Sequence, residues 1–225
     1  MTFTLEYENQ FDAPLGSEWT RYNGVPACCP TSLWVRENVV VQNGELQLRG
    51  LRQPGSDVFH TAGVSLPHLD LTYGRWRIRS RFDKGVGLKQ CALLWPAEGF
   101  QPPEIDFAES NTNDGERTRM TATLHYPPVR NDMIHNSVAV DFSEWHTWGV
   151  TWRPGVIGYT LDGKTWATVR DSVQGVQIGR PVVPTTPMHF GVQTTMGTST
   201  AAKPDATTPD EVTMHIDWIK VWSYA

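Results

Sequence analysis

Three carboxylates, Glu104, Asp106 and Glu109, lie within six residues of an otherwise apolar segment. In a β-strand successive side chains alternate between two faces, so Glu104 and Asp106 share one face and Glu109 is out of phase with them. One extra residue, a β-bulge at Phe107 or Ala108, would return Glu109 to that face. A row of carboxylates with different pKa values is what acid–base cleavage of a glycosidic bond needs.

The same spacing has other interpretations. The chain has 24 Asp and Glu residues among 225, and a short acidic motif in such a chain has a high false-positive rate. Solvated surface charges, or an acidic first helical turn after Pro102-Pro103, would also produce it. In a helix, Glu104 and Asp106 would point about 200° apart, so one face could not gather them. The surrounding elements must decide between these interpretations.

The rest of the chain has the pattern of an all-β protein. Short runs rich in Val, Ile, Thr and aromatic residues recur between Gly, Pro, Asn and Asp, and no long helical pattern is found. The Asn43-Gly44 pair suits a type I′ hairpin turn. About a dozen strands at this spacing indicate a sandwich or barrel. The predicted strands include 39–48 as a hairpin, 76–82, 88–95, 104–109, 121–126, 148–152, 157–161, 188–194 and 215–222, with surface loops at 96–103 and 198–209.

Composition limits the possible classes of binding partner and the number of domains. A chain of 225 residues without a repeat or a low-complexity linker suits a single domain over residues 1–225. The net charge is −5 and no basic run is present, which argues against nucleic acid and anionic membranes as partners. No apolar run approaches the 18 residues of a membrane span. The first residues lack the basic start and apolar centre of a signal peptide.

Three cysteines are present. Cys28 and Cys29 are adjacent, and we do not expect them to bridge each other. Cys91 lies in an apolar strand and should behave as a small buried hydrophobe. No paired Cys/His spacing suggests a zinc site.

The order of the motifs resembles the family-16 glycoside hydrolases, the laminarinase and lichenase group, over nearly the whole chain. The six-residue acidic segment is similar to the bulged signature of laminarinases, whereas lichenases have a version one residue shorter. The other segments that carry the resemblance are 38–46, 71–76, 94–96, 145–154, 161–163 and 216–222.

The resemblance implies a jelly-roll β-sandwich of two antiparallel sheets with a concave substrate cleft. It also implies that Glu104 is the nucleophile, Glu109 the general acid/base and Asp106 the assisting carboxylate of a retaining mechanism. The Cα atoms of Glu104 and Glu109 would be roughly 13 Å apart along the strand, and inward-leaning side chains must bring the carboxyls to about 5–5.5 Å. Repulsion within the row should leave a proton on one member, which we assign to Glu109.

Several further residues match cleft positions of the family. Each has a structural alternative: core burial for a Trp, a structural hydrogen bond for His125, and a solvated edge strand for the arginines. Arg77 stands where lichenases tend to carry Glu, which weakens a purely mixed-linkage specificity. The predicted substrate-binding residues are Trp95, His125, Arg79, Arg77, Trp34 and Gln193.

A structural calcium ion far from the cleft is a further implication of the resemblance. Gly44, through its carbonyl, and Asp217 match the family's ligands, and oxygen ligands suit calcium. The alternative is that Asp217 only caps a strand pairing. No cofactor is expected for catalysis.

The sequence therefore predicts a retaining endo-glycosidase for β-1,3-linked or mixed β-1,3-1,4-linked glucans. A galactan-directed hydrolase for agar or carrageenan, a transglycosylase of the same fold and a non-catalytic β-glucan-binding module stay open. We expect a monomeric, extracellular protein whose partner is a polysaccharide.

Overall fold

The computed structural model describes residues 2–127, 132–173, 176–177, 180–197 and 203–225. Strands dominate this part of the chain, and one short 3-10 helix spans Arg36–Asn38. The strands are β1 (Phe3–Asn9), β2 (Thr20–Arg21), β3 (Leu33–Trp34), β4 (Val39–Gln42), β5 (Glu45–Arg52), β6 (Phe59–Thr61), β7 (Gly63–Ser65), β8 (Gly74–Phe82), β9 (Leu88–Pro96), β10 (Glu104–Ser110), β11 (Arg119–His125), β12 (Met133–Ala139), β13 (His146–Arg153), β14 (Val156–Leu161), β15 (Lys164–Arg170), β16 (Ser172–Val173), β17 (Val176–Gln177), β18 (Met188–Met196) and β19 (Glu211–Tyr224).

Local sequence explains the elements that were predicted. Asn43 and Gly44 both have positive φ angles, 57° and 73°, which are the values that a type I′ turn between β4 and β5 requires. In β8, Trp76 and Ile78 are buried, while the intervening arginines are half-buried on the other face. The predicted loop 198–209 lies partly outside the described residues, and its described part, 203–209, contains no strand.

Two large sheets form the fold. The ten-stranded sheet has the order β15-β14-β13-β8-β19-β5-β6-β3, with β1 paired to β19 and β4 to β5. The seven-stranded sheet has the order β12-β11-β10-β9-β18-β7-β2, and β16 and β17 form a small separate ribbon. The pairings are antiparallel as predicted, apart from the short parallel pairing of β3 with β6. The predicted all-β sandwich is confirmed.

The inward faces of the two sheets share one apolar core. Trp76, Trp148 and Trp152 contribute from the ten-stranded sheet, and Ile105 and Phe107 from β10. Because every second residue of β10 is committed to this core, its carboxylates must point to the opposite face of the seven-stranded sheet. Within the described residues, no helix is long and apolar enough to cross a membrane.

Candidate active site

A β-bulge brings the three carboxylates into one row. Against β11, Asp106 pairs with Thr123 and Glu109 with Thr121, so three steps on β10 match two on its neighbour. The shift against β9 falls between Asp106 and Ala108, which confirms the predicted bulge. Glu104, Asp106 and Glu109 consequently all line the same cleft.

The carboxylates of Glu104 and Asp106 are almost removed from water, with exposures of 8% and 3%. Burial, followed by the charges of Asp106 and Glu109, raises the pKa of Glu104 to about 10, while the Lys89 ammonium opposes the rise. A hydrogen bond between the two side chains adds to this effect. Burial and the neighbouring carboxylates therefore favour a protonated Glu104 in the free protein.

Asp106 is held from two neighbouring strands. The thiol of Cys91 on β9 donates a hydrogen bond to Oδ1 at 3.2 Å. On the other side, Nε2 of His125 lies 3.2 Å from Oδ2. His125 is also the register partner of Glu104 across β10 and β11. These contacts fix the middle carboxylate between the two glutamates.

Glu109 has a lysine partner that the sequence reasoning missed. Nζ of Lys89 lies 2.6 Å from Oε1 of Glu109, and both side chains are about three-quarters buried. The signal was present in the alternation of β9, since Lys89, Cys91, Leu93 and Trp95 all line the cleft. Burial has the largest single effect and lowers the pKa of Lys89. The charge of Glu109, its hydrogen bond to the ammonium and the neighbouring cysteines together outweigh burial and raise the pKa, so the ammonium stays charged.

The cleft has a volume of about 780 Å³ and collects four of the six predicted substrate-binding residues: Trp34, Trp95, His125 and Gln193. The ring of Trp34 packs 4.7 Å from that of Tyr22, and its indole N–H donates to the carbonyl of Thr194 at 3.0 Å. Trp95 is half-buried in the wall. These aromatic surfaces suit the apolar faces of sugar rings.

The two arginines do not belong to this cleft, which corrects that prediction. Arg77 and Arg79 lie on β8, in the other sheet. Arg79 pairs with Asp217 at 2.6 Å and packs 4.8 Å from the ring of Trp145, while Arg77 packs 5.9 Å from the ring of Trp222. The strand alternates as expected, but its polar face is the outward face of the ten-stranded sheet.

Other cleft residues were not among the predicted binders. Phe100, 86% exposed, lies in the loop before β10 and forms part of the rim. His189 on β18 and Cys28 in the loop before β3 also line the cleft. A large exposed aromatic ring beside a carboxylate row is a candidate sugar platform.

Of the two predicted calcium ligands, Asp217 has a cationic partner within the protein. Gly44 lies in the β4–β5 turn, but Oδ2 of Asp217 is already bonded by the guanidinium of Arg79. In the described part of the chain, the acidic and histidine groups close enough to share a metal ion are Glu104, Asp106 and His125, which belong to the cleft. The residues present therefore fit an internal ion pair at Asp217 better than a bound calcium.

Comparison with known proteins defines the class. Residues 30–220 match the family described as glycosyl hydrolases family 16. The chain belongs to this family, which confirms the resemblance seen in the sequence motifs.

Two curated proteins are similar to this chain in sequence. One is the endo-1,3-1,4-beta-glycanase ExsH of Rhizobium meliloti (strain 1021), 30% identical over 154 residues, which are 68% of this chain and 30% of that protein. Another is a beta-glucanase of Acetivibrio thermocellus, 23% identical over 66% of this chain and 44% of that protein. The chain thus spans less than half the length of these relatives.

Solved structures agree with the fold. The catalytic domain of an endo-1,3-beta-glucanase (laminarinase) from Thermotoga petrophila RKU-1 superposes with a TM-score of 0.84 and 21% identity, covering 99% of this chain and 98% of that one. An endo-beta-1,3-glucanase from Pyrococcus furiosus gives a TM-score of 0.83 and 20% identity, covering 99% and 95%. At this identity, the likeness establishes the jelly-roll fold.

Proposed function

We propose that this chain is a retaining endo-glycosidase that hydrolyses β-1,3-linked glucans, with mixed β-1,3-1,4-linked glucans as a second substrate class. The observation that carries the proposal is the row of Glu104, Asp106 and Glu109 at the floor of an aromatic-walled cleft. The named activities of the relatives, endo-1,3-1,4-beta-glycanase and endo-1,3-beta-glucanase, support the choice of substrate.

The proposed reaction is a double displacement. Glu104 attacks the anomeric carbon and forms a glycosyl ester, while Glu109 gives a proton to the departing sugar oxygen. Glu109 then takes a proton from water, which attacks the ester and frees Glu104 with the anomeric configuration retained. Asp106, fixed by Cys91 and His125, holds the Glu104 carboxyl in place through their shared hydrogen bond.

The free protein places a condition on the first step. Because burial and neighbouring charges keep a proton on Glu104, its carboxyl must lose that proton before it can act as a nucleophile. Asp106 is the bonded acceptor at hand, and Lys89 balances the charge of Glu109. The proton that leaves Glu104 must end on Glu109, which has to hold a proton before it can act as the acid. Substrate binding should therefore be coupled to proton movement from Glu104 through Asp106 to Glu109.

The remaining expectations follow from the substrate class. A long polysaccharide cannot readily enter a cell, so we propose that the protein works outside it, as a monomer with glucan as its partner. The cleft supplies acidic and aromatic groups and needs no catalytic cofactor for this reaction.

Reducing-sugar release from laminarin, barley mixed-linkage glucan, agarose and carrageenan tests the proposal. Glu104→Gln should abolish release from laminarin while remaining folded. Glu98→Gln makes the same change at an exposed site in the neighbouring loop and should keep the activity. An active Glu104→Gln protein would overturn the role of Glu104.

The other readings give different results in the same assay. Activity on agarose or carrageenan alone would replace the glucan by a galactan. Products longer than the starting oligosaccharide would indicate transglycosylation. Binding of laminarin without cleavage by the unmutated protein would indicate a binding module.

A further inference from the structure

Two adjacent thiols form part of the cleft wall. Cys28 is exposed and lines the cleft together with Lys89, Glu104 and Glu109, whereas Cys29 is only 5% exposed. The two Sγ atoms lie 2.8 Å apart in a thiol–thiol hydrogen bond. The proposed hydrolysis uses neither group.

The loop that carries the thiols is anchored to the seven-stranded sheet. The side chain of Thr31 donates to the carbonyl of Gly197 at 3.1 Å, and the amide of Met196 donates to the hydroxyl of Ser32 at 2.6 Å. A backbone turn from Cys29 to Pro26 closes the other side. The two sulfurs are therefore held against each other by bonds outside the pair.

The two cysteines differ in pKa, which makes one the nucleophile and the other its resolving partner. The hydrogen bond that Cys29 shares with Cys28 lowers the pKa of Cys29 to about 6; burial opposes this effect, and Lys89 and Thr195 assist it. The same hydrogen bond and burial raise the pKa of Cys28. A thiolate next to a neutral thiol is the arrangement of cysteines that react with oxidants and are then resolved by a second cysteine.

Metal binding suits these thiols less well. The group of three ligands found among the described residues, Glu104, Asp106 and His125, does not include them. A soft metal would need at least one more ligand than the pair supplies. Oxidation needs only the two sulfurs.

We propose that Cys28 and Cys29 form an oxidation site, which a small hydroperoxide converts to a vicinal disulfide, and that this conversion lowers hydrolysis at the adjacent carboxylate row. The effect on hydrolysis rests on the proposed function, whereas the oxidation itself does not.

The chemistry balances with hydrogen peroxide as the oxidant. The Cys29 thiolate attacks one peroxide oxygen, breaking the O–O bond to give a sulfenic acid and hydroxide, which takes a proton to become water. Cys28 then loses its proton, and its sulfur attacks the sulfenic sulfur, forming the S–S bond and releasing a second water. Two thiols lose two electrons, and the peroxide gains them.

Strain makes the bridge reversible. Neighbouring Cα atoms across a trans peptide are about 3.8 Å apart, closer than the roughly 4.4–6.8 Å of ordinary disulfides. Strained disulfides are reduced more readily. The adjacency that argues against a permanent bridge therefore favours a labile one.

Formation of the disulfide would affect the catalytic groups through Lys89. Oxidation removes the Cys29 charge that this ammonium helps to stabilise, and the same ammonium bonds Glu109 at 2.6 Å. A displacement of about 1 Å near reacting groups can cost up to about a hundredfold in rate. We expect oxidation to lower the rate of laminarin hydrolysis by about tenfold or more.

Mass spectrometry and activity test the site together. After peroxide treatment, free thiols are alkylated in denaturant and the protein is digested with trypsin. Mass spectrometry then measures the mass of peptide 22–36, which contains both cysteines. We expect the mass of this peptide to show the loss of two hydrogen atoms and no alkylation. Cys91 is buried in the folded protein and lies in a different tryptic peptide, so it should keep its thiol and be alkylated. Laminarin hydrolysis should fall with the formation of this peptide and return after treatment with a thiol reductant.

Single variants provide the matched controls. Cys28→Ser and Cys29→Ser cannot form the bridge, so neither should give a peptide that lacks two hydrogen atoms. Two alkylated cysteines or only sulfinic acids in the peptide would overturn the site. A bridged peptide with unchanged hydrolysis would overturn its effect on the cleft. If the untreated protein cleaves no glucan, the proposed function fails, and the peptide mass still decides the oxidation.

Discussion

At the scale of single residues, the site combines one retained proton with one buried ammonium. Glu104 carries the proton because it is desolvated beside Asp106, and Lys89 provides the charge that balances Glu109. A carboxyl with a raised pKa opposes folding at neutral pH, because the unfolded chain lets it ionise freely. Catalytic groups commonly reduce stability for this reason.

Glu104→Gln should therefore stabilise the protein while removing turnover. The ordinary pKa of a Glu is about 4.3, and that of Glu104 is raised to about 10. Its contribution to stability is thus full below about pH 4 and declines as the pH rises toward 10. We expect Glu104→Gln to melt about 3 °C or more above the wild type at pH 8, and close to it at pH 4.

The contrast with Glu109→Gln sharpens this test. That variant leaves the ammonium of Lys89 without its bonded partner in a largely buried position, and it should melt below the wild type at pH 8. Equal melting temperatures for both variants at pH 8 would contradict the division of charge within the row. Differential scanning calorimetry measures both.

Lys89→Met should weaken catalysis without unfolding the sheet. The methionine keeps the unbranched apolar stem of the side chain and removes the charge that faces Glu109 at 2.6 Å. We expect kcat on laminarin to fall about tenfold or more, equivalent to about 1.4 kcal/mol of barrier. Lys89→Arg retains the charge and should recover part of the rate. A Lys89→Met enzyme with unchanged kcat would show that the ion pair is only structural.

At the scale of elements, buried polar side chains connect the loops at the ends of neighbouring strands. Arg117, fully buried in the turn before β11, donates to the carbonyls of Asp83, Gly85, Leu88 and Asp114 and lies 4.0 Å from the ring of Phe82. It thereby fixes the loop that leads into β9 against the loop that follows β10. This contact helps to position both β10, which carries the carboxylate row, and β9, which carries Lys89.

His215 makes a similar connection in the other sheet. Its Nδ1 lies 2.8 Å from Glu45 on β5, and its Nε2 lies 3.4 Å from Asp83 after β8. Burial alone would lower the pKa of His215, but the hydrogen bonds with Asp83 and Glu45 outweigh it and raise that pKa. The stabilisation is therefore full below the ordinary value of about 6.5 and is lost as the pH rises through the folded value.

His215→Asn should consequently destabilise the protein more at pH 5 than at pH 9. The variant removes the cation that bonds two carboxylates at the lower pH, whereas at the higher pH the wild type has lost this advantage itself. Urea unfolding at the two pH values measures the difference. His68→Asn, at an exposed position, is the control and should show no such pH dependence. A pH-independent loss at His215 would mean that packing, not charge, is what the ring contributes.

At the scale of the whole molecule, the two sheets divide the work. The seven-stranded sheet presents the carboxylates and most of the cleft wall, while the ten-stranded sheet covers the core and lines its outer face with arginine and aromatic side chains. Trp34, from the edge of the ten-stranded sheet, lines the cleft and donates a hydrogen bond to Thr194 of the other sheet. The cleft thus depends on how the sheets are docked.

Calcium should have little effect on this assembly. Arg79 already bonds the carboxylate of Asp217 at 2.6 Å, so an added cation would have to displace a guanidinium. We expect millimolar calcium or a chelator to leave the wild-type melting temperature unchanged. In Arg79→Met the carboxylate is released, and calcium should then raise the melting temperature. A calcium-dependent rise in the wild type would restore the metal site inferred from Gly44 and Asp217.

The sequence by itself determined the faces of the strands and the chemistry of the row. Alternation and one bulge are local properties, so the common face of Glu104, Asp106 and Glu109 and the turn at Asn43-Gly44 could be predicted from neighbouring residues. Motif order over nearly the whole chain was enough to identify the family. These features depend on residues a few positions apart.

Only the tertiary structure decided which sheet each strand joins and which charges meet. Arg79 and Lys89 lie on alternating strands of similar pattern, yet one faces Asp217 outside the ten-stranded sheet and the other faces Glu109 in the cleft. The retained proton on Glu104 likewise depends on burial, which outweighs the opposing charge of Lys89 from the neighbouring strand. Strand pairing and desolvation arise from contacts between distant segments, and no local pattern contains them.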